Sequence, residues 1–294
     1  MRNIVRRPTV RLAMKRVIAF PLVRLSLIVL IFSAALTVVV AGARGHSSTW
    51  AGITVGWIVA AVLLGVTAGV ERYTADRSIA DIGLGRHHAL RDLALGLALG
   101  AALFTAVVLE LALGGHYHVA GVHLSSDVAL AALLLASGAV IEEVLFRGVA
   151  FRLVEEWAGT WIALAVSAAI FGAVHSANPG ATWVSTLAIA LEAGVLLAAA
   201  YIVTRNLWFP IGLHFAWNFC EGPVYGTQVS GHEILTSVVT AHVSGSPWLT
   251  GGSFGPEAGL YAVATCLLVA LAMLAYARRR SSFLAPSWRR RAAA

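Results

Sequence analysis

The sequence has few charges for its length. Asp, Glu, Lys and Arg make up 12% of its 294 residues, and Lys15 is the single lysine. Hydrophobic residues make up 59%, and the mean hydropathy is +0.82. This composition excludes a soluble globular domain and indicates a polytopic membrane protein. Its apolar runs are too long and continuous for the strands of a membrane barrel, which leaves transmembrane helices.

Cysteine is also scarce. The two cysteines, Cys220 and Cys266, both fall in apolar segments, so we predict small buried side chains and neither a disulfide nor a metal pair. The net charge of +7 comes mostly from the two ends of the chain, so it reports membrane topology. We therefore predict that the protein lies in a lipid bilayer, as a multi-pass protein of the cell membrane. We predict that it does not bind nucleic acid.

Eight apolar segments predict an all-α, polytopic bundle of about eight transmembrane helices. The predicted spans are approximately 25–42, 51–70, 93–113, 127–153, 160–176, 183–204, one beginning near residue 208, and 259–277. Two Gly-x-x-x-Gly patterns, Gly65 with Gly69 and Gly96 with Gly100, predict surfaces of close helix packing.

The distribution of arginine predicts the orientation. Residues 1–16, residues 71–92 and the C-terminal tail are rich in arginine, whereas 114–126 and 221–257 contain no Lys or Arg. By the positive-inside rule, both termini are cytoplasmic and the loop at 223–257 is extracytoplasmic. We predict three regions: 1–124 with a basic arm and three spans, 125–222 with a core of four spans, and 223–294 with a loop, the last span and a basic tail.

The fourth span contains Glu142, Glu143 and Arg147 within an apolar run. Ionisable side chains at membrane depth are costly and indicate function. Glu143 and Arg147 are four residues apart with the acid first, which favours an ion pair on one helical face. Glu142 points about 100° away, so one carboxylate is paired and the other is free. A purely structural salt bridge would explain the pair but not the second Glu.

Two further spans place polar residues at helical spacing. Phe171 and His175 are four apart near the end of the fifth span, and His214 and Asn218 are four apart on one face of the seventh. One carboxylate, two imidazoles and a carboxamide in apolar helices supply what amide hydrolysis needs: a base, a proton donor and donors to an oxyanion. Glu192, in the sixth span, has no such partner, and we predict a supporting role for it.

These three motifs resemble those of the CPBP family, the CAAX-protease and bacteriocin-processing intramembrane endopeptidases, also called the Abi or type II CAAX prenyl protease family. The motifs are Glu142-Glu143-x-x-x-Arg147, Phe171-x-x-x-His175 and His214-x-x-x-Asn218. The resemblance covers residues 125–222 and implies an intramembrane endopeptidase that acts on a peptide or a membrane protein. Motifs of other intramembrane proteases (His-Glu-x-x-His, Gly-x-Gly-Asp and Gly-x-Ser-Gly) do not occur in the sequence.

The resemblance implies a role for each motif. Glu142 would activate the attacking water with His175 as its partner, while His214 and Asn218 would hold the oxyanion. The ion pair of the first motif would orient the site. The family's label is metalloendopeptidase, and the sequence permits two interpretations. Glu142, His175 and His214 could hold a divalent metal such as zinc, or Glu142 could act on water directly in a desolvated pocket. The second is favoured because Asn218 suits an oxyanion site.

Two other functions fit the same residues. One is a non-catalytic membrane interaction or immunity protein on the same scaffold. The other is a small transporter with Glu142, Glu143 and Glu192 as a proton relay, although the inverted repeats typical of transporters are not evident. Counting along the predicted spans places Glu142 and His214 in the inner half of the membrane and His175 nearer the outside, which conflicts with one shared site.

Overall fold

The structure is a computed structural model that describes residues 17–43 and 48–292. The basic arm, residues 1–16, lies outside these residues. The described chain is helical apart from one small sheet, so the predicted all-α polytopic bundle is confirmed. Six of the described helices are long and apolar enough to cross a membrane. The protein is a multi-pass membrane protein.

The helices divide into long spans and short connecting segments. In chain order, the α-helices are α1 (Pro21–Gly42), α2 (Thr49–Ala75), α3 (Ala89–Leu113), α4 (Asp127–Glu143), α5 (Arg152–Ala158), α6 (Thr160–His175), α7 (Trp183–Ile189), α8 (Val195–Thr204), α9 (Trp208–Phe219), α10 (Pro247–Thr250), α11 (Leu260–Arg279) and α12 (Ser287–Ala292). Short 3-10 turns lie at Ile79–Ile82, Gly252–Phe254 and Pro256–Ala258.

Three π-helical stretches interrupt or extend these helices. Val144–Phe151 joins α4 to α5, Ala190–Gly194 joins α7 to α8, and Cys220–Val224 follows α9. Two of the six long spans are therefore composite, Asp127–Ala158 and Trp183–Thr204. Such stretches are rare and concentrate at functional sites. Here each of them contains or borders a buried carboxylate.

The eight predicted spans each correspond to a helix, but two are short. The fifth is α6, with 16 residues, and the seventh is α9, with 12 residues before its π-helical extension. The fourth span runs five residues beyond its predicted end, to Ala158. This extension matters for the level at which the site residues lie.

Helices α3 and α9 pack with their backbones in close contact. A Cβ atom at Gly96 would lie 2.2 Å from a carbonyl oxygen of α9, and one at Gly100 would lie 2.3 Å from another. The predicted close packing at this pair is confirmed. The prediction for Gly65 and Gly69 is wrong within the described residues, because a Cβ atom at either position would meet nothing within 4 Å. Helix α2 instead packs on α1 and α4.

The two loops that lack Lys and Arg form a small antiparallel sheet. β1 (Tyr117–Val122) pairs with β2 (Val239–Val243), with an irregularity between Val119 and Gly121. The Tyr117 hydroxyl donates to the carbonyl oxygen of Tyr225 at 2.8 Å. Burial raises the pKa of Tyr117 to about 12, so this donor keeps its proton at neutral pH. The sheet joins both predicted extracytoplasmic loops at one end of the bundle.

Arginine and glutamate side chains form a network at the opposite end, which we call the basal charge network. Its members are Arg24 on α1, Glu71 on α2, Arg77 in the following connector, and Arg152 and Glu156 on α5. Arg24 contacts Glu71 at 2.8 Å and Glu156 at 2.6 Å, and Arg152 contacts Glu71 at 2.8 Å. Arg24 and Glu71 have no solvent exposure. The network ties three helices together at the predicted cytoplasmic end.

Glu155 lies beside this network and is buried. Its carboxylate contacts Arg205 at 2.6 Å and accepts a hydrogen bond from the Thr160 hydroxyl at 2.5 Å. The position of Glu155 and Glu156 after the fourth predicted span indicates a solvated helix end, which is wrong for Glu155, whereas Glu156 is partly exposed and paired with Arg24 and Arg77. Their partners are distant along the chain, so helical spacing within α5 does not reveal them.

Candidate active site

Because the fourth span extends to Ala158, Glu142 and His175 lie at the same height along their helices. Glu142 lies 16 residues above Ala158, and His175 lies 15 residues above Thr160, across a tight turn at Gly159. At 1.5 Å per residue, both stand about 22–24 Å above that turn. For Glu142 and His175, the conflict found in the sequence arises from placing the inner end of the fourth span at residue 153.

Glu143 is the centre of a buried polar cluster. Its Oε1 atom accepts a hydrogen bond from Arg147 Nη1 at 2.7 Å and lies 2.8 Å from His214 Nδ1. Glu143 and Arg147 have no solvent exposure, and His214 has 7%. The Glu143–Arg147 pairing predicted from the spacing is therefore present. Because carboxylate oxygens are acceptors, His214 donates its Nδ1 proton to Glu143.

Arg147 connects this cluster to a neighbouring span. Its Nη2 atom donates to the carbonyl oxygens of Ala193 and Gly194, at 3.1 and 3.4 Å. Both carbonyls belong to the π-helical stretch Ala190–Gly194. The guanidinium carbon of Arg147 lies 4.5 Å from the centre of the Phe171 ring, a cation–π arrangement. The aromatic residue of the second motif thus supports the charged residue of the first.

Glu142 differs from Glu143 in its partners. Its Oε2 atom lies 4.0 Å from His175 Nε2 and 3.9 Å from His214 Nε2, and it makes no hydrogen bond to a described residue. His175 Nδ1 lies 2.7 Å from the Phe171 carbonyl oxygen and so donates to it. In both histidines Nδ1 is engaged, and Nε2 faces the free carboxylate.

These groups face a cavity of about 670 Å³. Glu142, His175, His214 and Asn218 all line it, so the structure brings the carboxamide to the same space. The side of α4 that faces the cavity is apolar, and the loop after α9 closes part of it with Ser230 and neighbouring residues. Such a cavity is large enough for a short peptide segment. All six residues predicted for the site thus lie in it or directly behind it.

The candidate metal ligands do not converge as a ligand set. Donors that share a tetrahedral zinc ion at about 2.0–2.1 Å lie about 3.3 Å apart, whereas Glu142 Oε2 lies 3.9 and 4.0 Å from the two Nε2 atoms. No group of three His, Cys, Asp or Glu side chains in the described residues could hold a metal ion. The observed arrangement suits a bridging water better.

Three further carboxylates lie behind the site, and the sequence indicates only one of them. Glu192, Glu221 and Glu257 are each at most 3% exposed. One oxygen of Glu192 and one of Glu221 lack a hydrogen-bond partner among the described residues. A cavity of about 20 Å³, room for one water, lies between His175, His214, Glu192 and Glu257. Glu221 and Glu257 come together only through folding of the loop after α9.

The match to known families is confined to the middle of the chain. Residues 124–220 match the Rce1-like family model, described as type II CAAX prenyl endopeptidase Rce1-like. This segment is Rce1-like. The resemblance to the CPBP intramembrane proteases is thereby confirmed over a third of the chain, and the family is one of proteases. Neither a curated protein nor a solved structure matches the chain.

Proposed function

We propose that the protein is an intramembrane endopeptidase that hydrolyses a peptide bond of a peptide or membrane-associated protein. One observation carries the proposal: a partly exposed carboxylate, Glu142, has no hydrogen-bond partner among the described residues and faces two imidazoles whose Nδ1 atoms are already engaged. A structural ion pair needs no such free acceptor. The Rce1-like match supports proteolysis in general.

His175 and Glu142 suit the binding of the attacking water. Because His175 donates through Nδ1, its neutral ring presents a lone pair at Nε2. Glu142 Oε2 is a second acceptor, 4.0 Å away. One water that donates both protons at about 2.8 Å bridges acceptors about 4–4.5 Å apart. The two side chains thus hold and orient one water beneath a bound peptide carbonyl.

His214 suits the opposite role, that of a donor. Glu142 and Glu143 carry two negative charges and Arg147 one positive charge, so a protonated His214 makes the group neutral. Buried charges require such pairing. A protonated His214 donates Nδ1 to Glu143 and has a second donor at Nε2, directed at the cavity. With the Asn218 carboxamide it provides two donors for an oxyanion.

The reaction follows from these roles. Glu142 removes a proton from the water, and the resulting hydroxide oxygen bonds to the carbonyl carbon of the substrate. The carbonyl oxygen becomes an oxyanion, stabilised by His214 and Asn218. Glu142 then gives its proton to the amide nitrogen, the C–N bond breaks, and a carboxylic acid and an amine are released. No metal is required to balance these steps.

The experiment that tests this proposal compares membranes that contain the wild-type protein with membranes that contain Glu142→Gln. Peptide termini are identified by mass spectrometry, and a cleavage product that disappears in the variant identifies the substrate. Wild-type protein that yields no such product at equal abundance would favour the interaction or immunity protein.

A purified preparation then tests the metal hypothesis. Dialysis against a strong chelator should leave cleavage of the identified substrate within about twofold of its initial rate, because water activation is assigned to Glu142 and His175. Loss of cleavage that returns on addition of zinc would instead assign Glu142, His175 and His214 as metal ligands.

A further inference from the structure

The catalytic cavity opens at one identifiable end of the bundle. Its walls include the outer part of α4, the end of α6 near Asn178, and the loop that follows α9, from Val229 to Thr236. This loop leads into β2, which pairs with β1. The mouth of the cavity therefore lies at the end that carries the sheet, and the basal charge network lies at the other end.

The charges of the chain orient these two ends in the membrane. The sheet end contains the segments 114–126 and 221–257, which have no Lys or Arg. The other end carries the Arg-rich connector at 71–92 and Arg278 and Arg279 at the end of α11. The positive-inside rule places the arginine-rich end in the cytoplasm. The mouth of the cavity then faces away from the cytoplasm.

The walls of the cavity extend to membrane depth, because residues of α4 and α6 line it. Helix α6 packs against α5 and the π-helical stretch Val144–Phe151, the inner part of the composite fourth span. Towards the outer ends of α4 and α6, Leu135 of α4 and Val174 of α6 both line the cavity. An extended chain in the outer half of the membrane can therefore reach Glu142 without crossing the inner half.

We propose that the substrate reaches this site from the extracytoplasmic side, as an extended polypeptide segment at the outer half of the membrane that carries no carboxylate near the cleaved bond. None of the described residues that line the cavity is Lys or Arg, whereas Glu142 and Glu233 are acidic. The positive charge assigned to His214 is already balanced by the carboxylates of Glu142 and Glu143, so an anionic segment finds no unbalanced positive partner there and is repelled by Glu233. That the entering segment is a substrate rests on the proposed peptidase function. The direction of access to the cavity does not.

Gly138 provides a probe of the cavity. It lines the cavity, and a Cβ atom added there would meet nothing within 4 Å, so Gly138→Cys fits without displacing a neighbour. Gly138 also lies four residues before Glu142, on the same helical face. The variant is made with Cys220 and Cys266 replaced by alanine, because both are otherwise free thiols. Leu235→Cys at the mouth and His87→Cys in the connector at 71–92 are the matched controls.

The experiment measures labelling by membrane-impermeant thiol reagents in intact cells and in inverted vesicles. Gly138→Cys should react from outside, as Leu235→Cys does, and His87→Cys should react only in inverted vesicles. Relative to free cysteine, a cationic reagent should label Gly138→Cys several-fold faster than an anionic one. Adding Glu142→Gln should reduce that preference but not the sidedness.

Labelling of Gly138→Cys from the cytoplasmic side would overturn the direction of access. Labelling only after the membrane is dissolved in detergent would overturn it too, because the cavity would then be closed to external water. A preference for the anionic reagent would contradict the proposed substrate charge. None of these measurements needs turnover, so a protein that labels as expected but cleaves nothing would contradict only the proposed endopeptidase.

Discussion

The basal charge network and the active site use the same residue types in opposite ways. In the network, Glu71 is contacted by Arg24 and Arg152, each at 2.8 Å, and no carboxylate of the network lacks an arginine. In the candidate active site, the partners of Glu142 among the described residues are two imidazole nitrogens, at 3.9 and 4.0 Å. Paired charges hold helices together, whereas an incompletely paired carboxylate in a cavity remains free to accept a proton.

Glu143 combines the features of both regions: it is paired with an arginine, and it also lies in the candidate active site. Its Oε1 atom is paired with Arg147, as in the network, and it also holds His214 in the orientation that the reaction needs. Under the proposed function, Glu142, Glu143 and Glu71 thus form a series from catalytic through combined to structural. Replacing each by glutamine keeps the size and removes the charge, so the series can be tested one residue at a time.

The largest effect is expected for Glu142→Gln. A general base contributes about 10²–10⁴-fold, so cleavage should fall by that order. The thermal unfolding midpoint should stay near that of the wild type, because Glu142 has no arginine partner to leave unpaired. Cleavage rate and unfolding midpoint are measured on the same purified sample. A variant that unfolds but retains its cleavage rate per folded molecule would place Glu142 with the structural carboxylates.

A mixed effect is expected for Glu143→Gln. The substitution leaves Arg147 buried without its counter-charge, which costs about 3–5 kcal/mol, and it also weakens the hold on His214. Both stability and cleavage should fall. The double variant Glu143→Gln with Arg147→Met removes both charges, and it should recover stability without recovering cleavage. Full cleavage by the double variant would show that orientation of His214 does not depend on Glu143.

A stability effect alone is expected for Glu71→Gln. The change leaves Arg24 and Arg152 without their buried counter-charge, and loss of one partner of a buried pair costs about 3–5 kcal/mol. Yield and unfolding midpoint should fall, while the cleavage rate per folded molecule should stay within about twofold. Deep loss of cleavage in the remaining folded fraction would mean that the two ends of the bundle are coupled.

The smallest effect is expected for Glu192→Gln. Glu192 is buried, and its Oε1 atom has Cys266 as a weak donor at 3.5 Å, so an amide of the same size suits its place. It lines the small cavity behind His175 and His214 and is not among the residues that line the large cavity. Cleavage should remain within about threefold of the wild type. A loss as deep as that of Glu142→Gln would assign Glu192 to the proton-transfer path.

The sequence predicts the site better than it predicts what surrounds the site. Glu143 with Arg147, and His214 with Asn218, are recognisable because helical spacing alone puts each pair on one face. In an apolar segment a polar residue is also conspicuous, since the membrane makes it costly. Helical spacing does not predict that His175 lies close to Glu142, because the two residues belong to different helices. Their proximity depends on where the inner ends of those helices lie.

Features that depend on distant partners were not predicted. Arg24 and Glu156 are 132 positions apart, and the whole of the predicted catalytic core of four spans lies between β1 and β2. The π-helical stretches also leave no trace in the pattern of hydrophobicity. In a soluble helix a change of period would shift the apolar face, but a stretch such as Ala190–Gly194 lies in a span that is apolar on all sides.

The unequal lengths of the two helices beside the cavity have a consequence for the surrounding lipid. Helix α6, with 16 residues, is about 24 Å long, shorter than the roughly 30 Å hydrocarbon core, whereas Asp127–Ala158, with 32 residues, is about 48 Å long. Helix α6 is therefore too short for the hydrocarbon core, whereas its neighbour is long enough to cross it and to carry Arg152 and Glu156 of the basal charge network at its inner end. The bilayer accommodates a short helix by thinning locally. Thinning next to α6 brings the aqueous phase closer to Glu142, so the acyl-chain length of the lipid becomes a determinant of how readily water reaches the scissile bond.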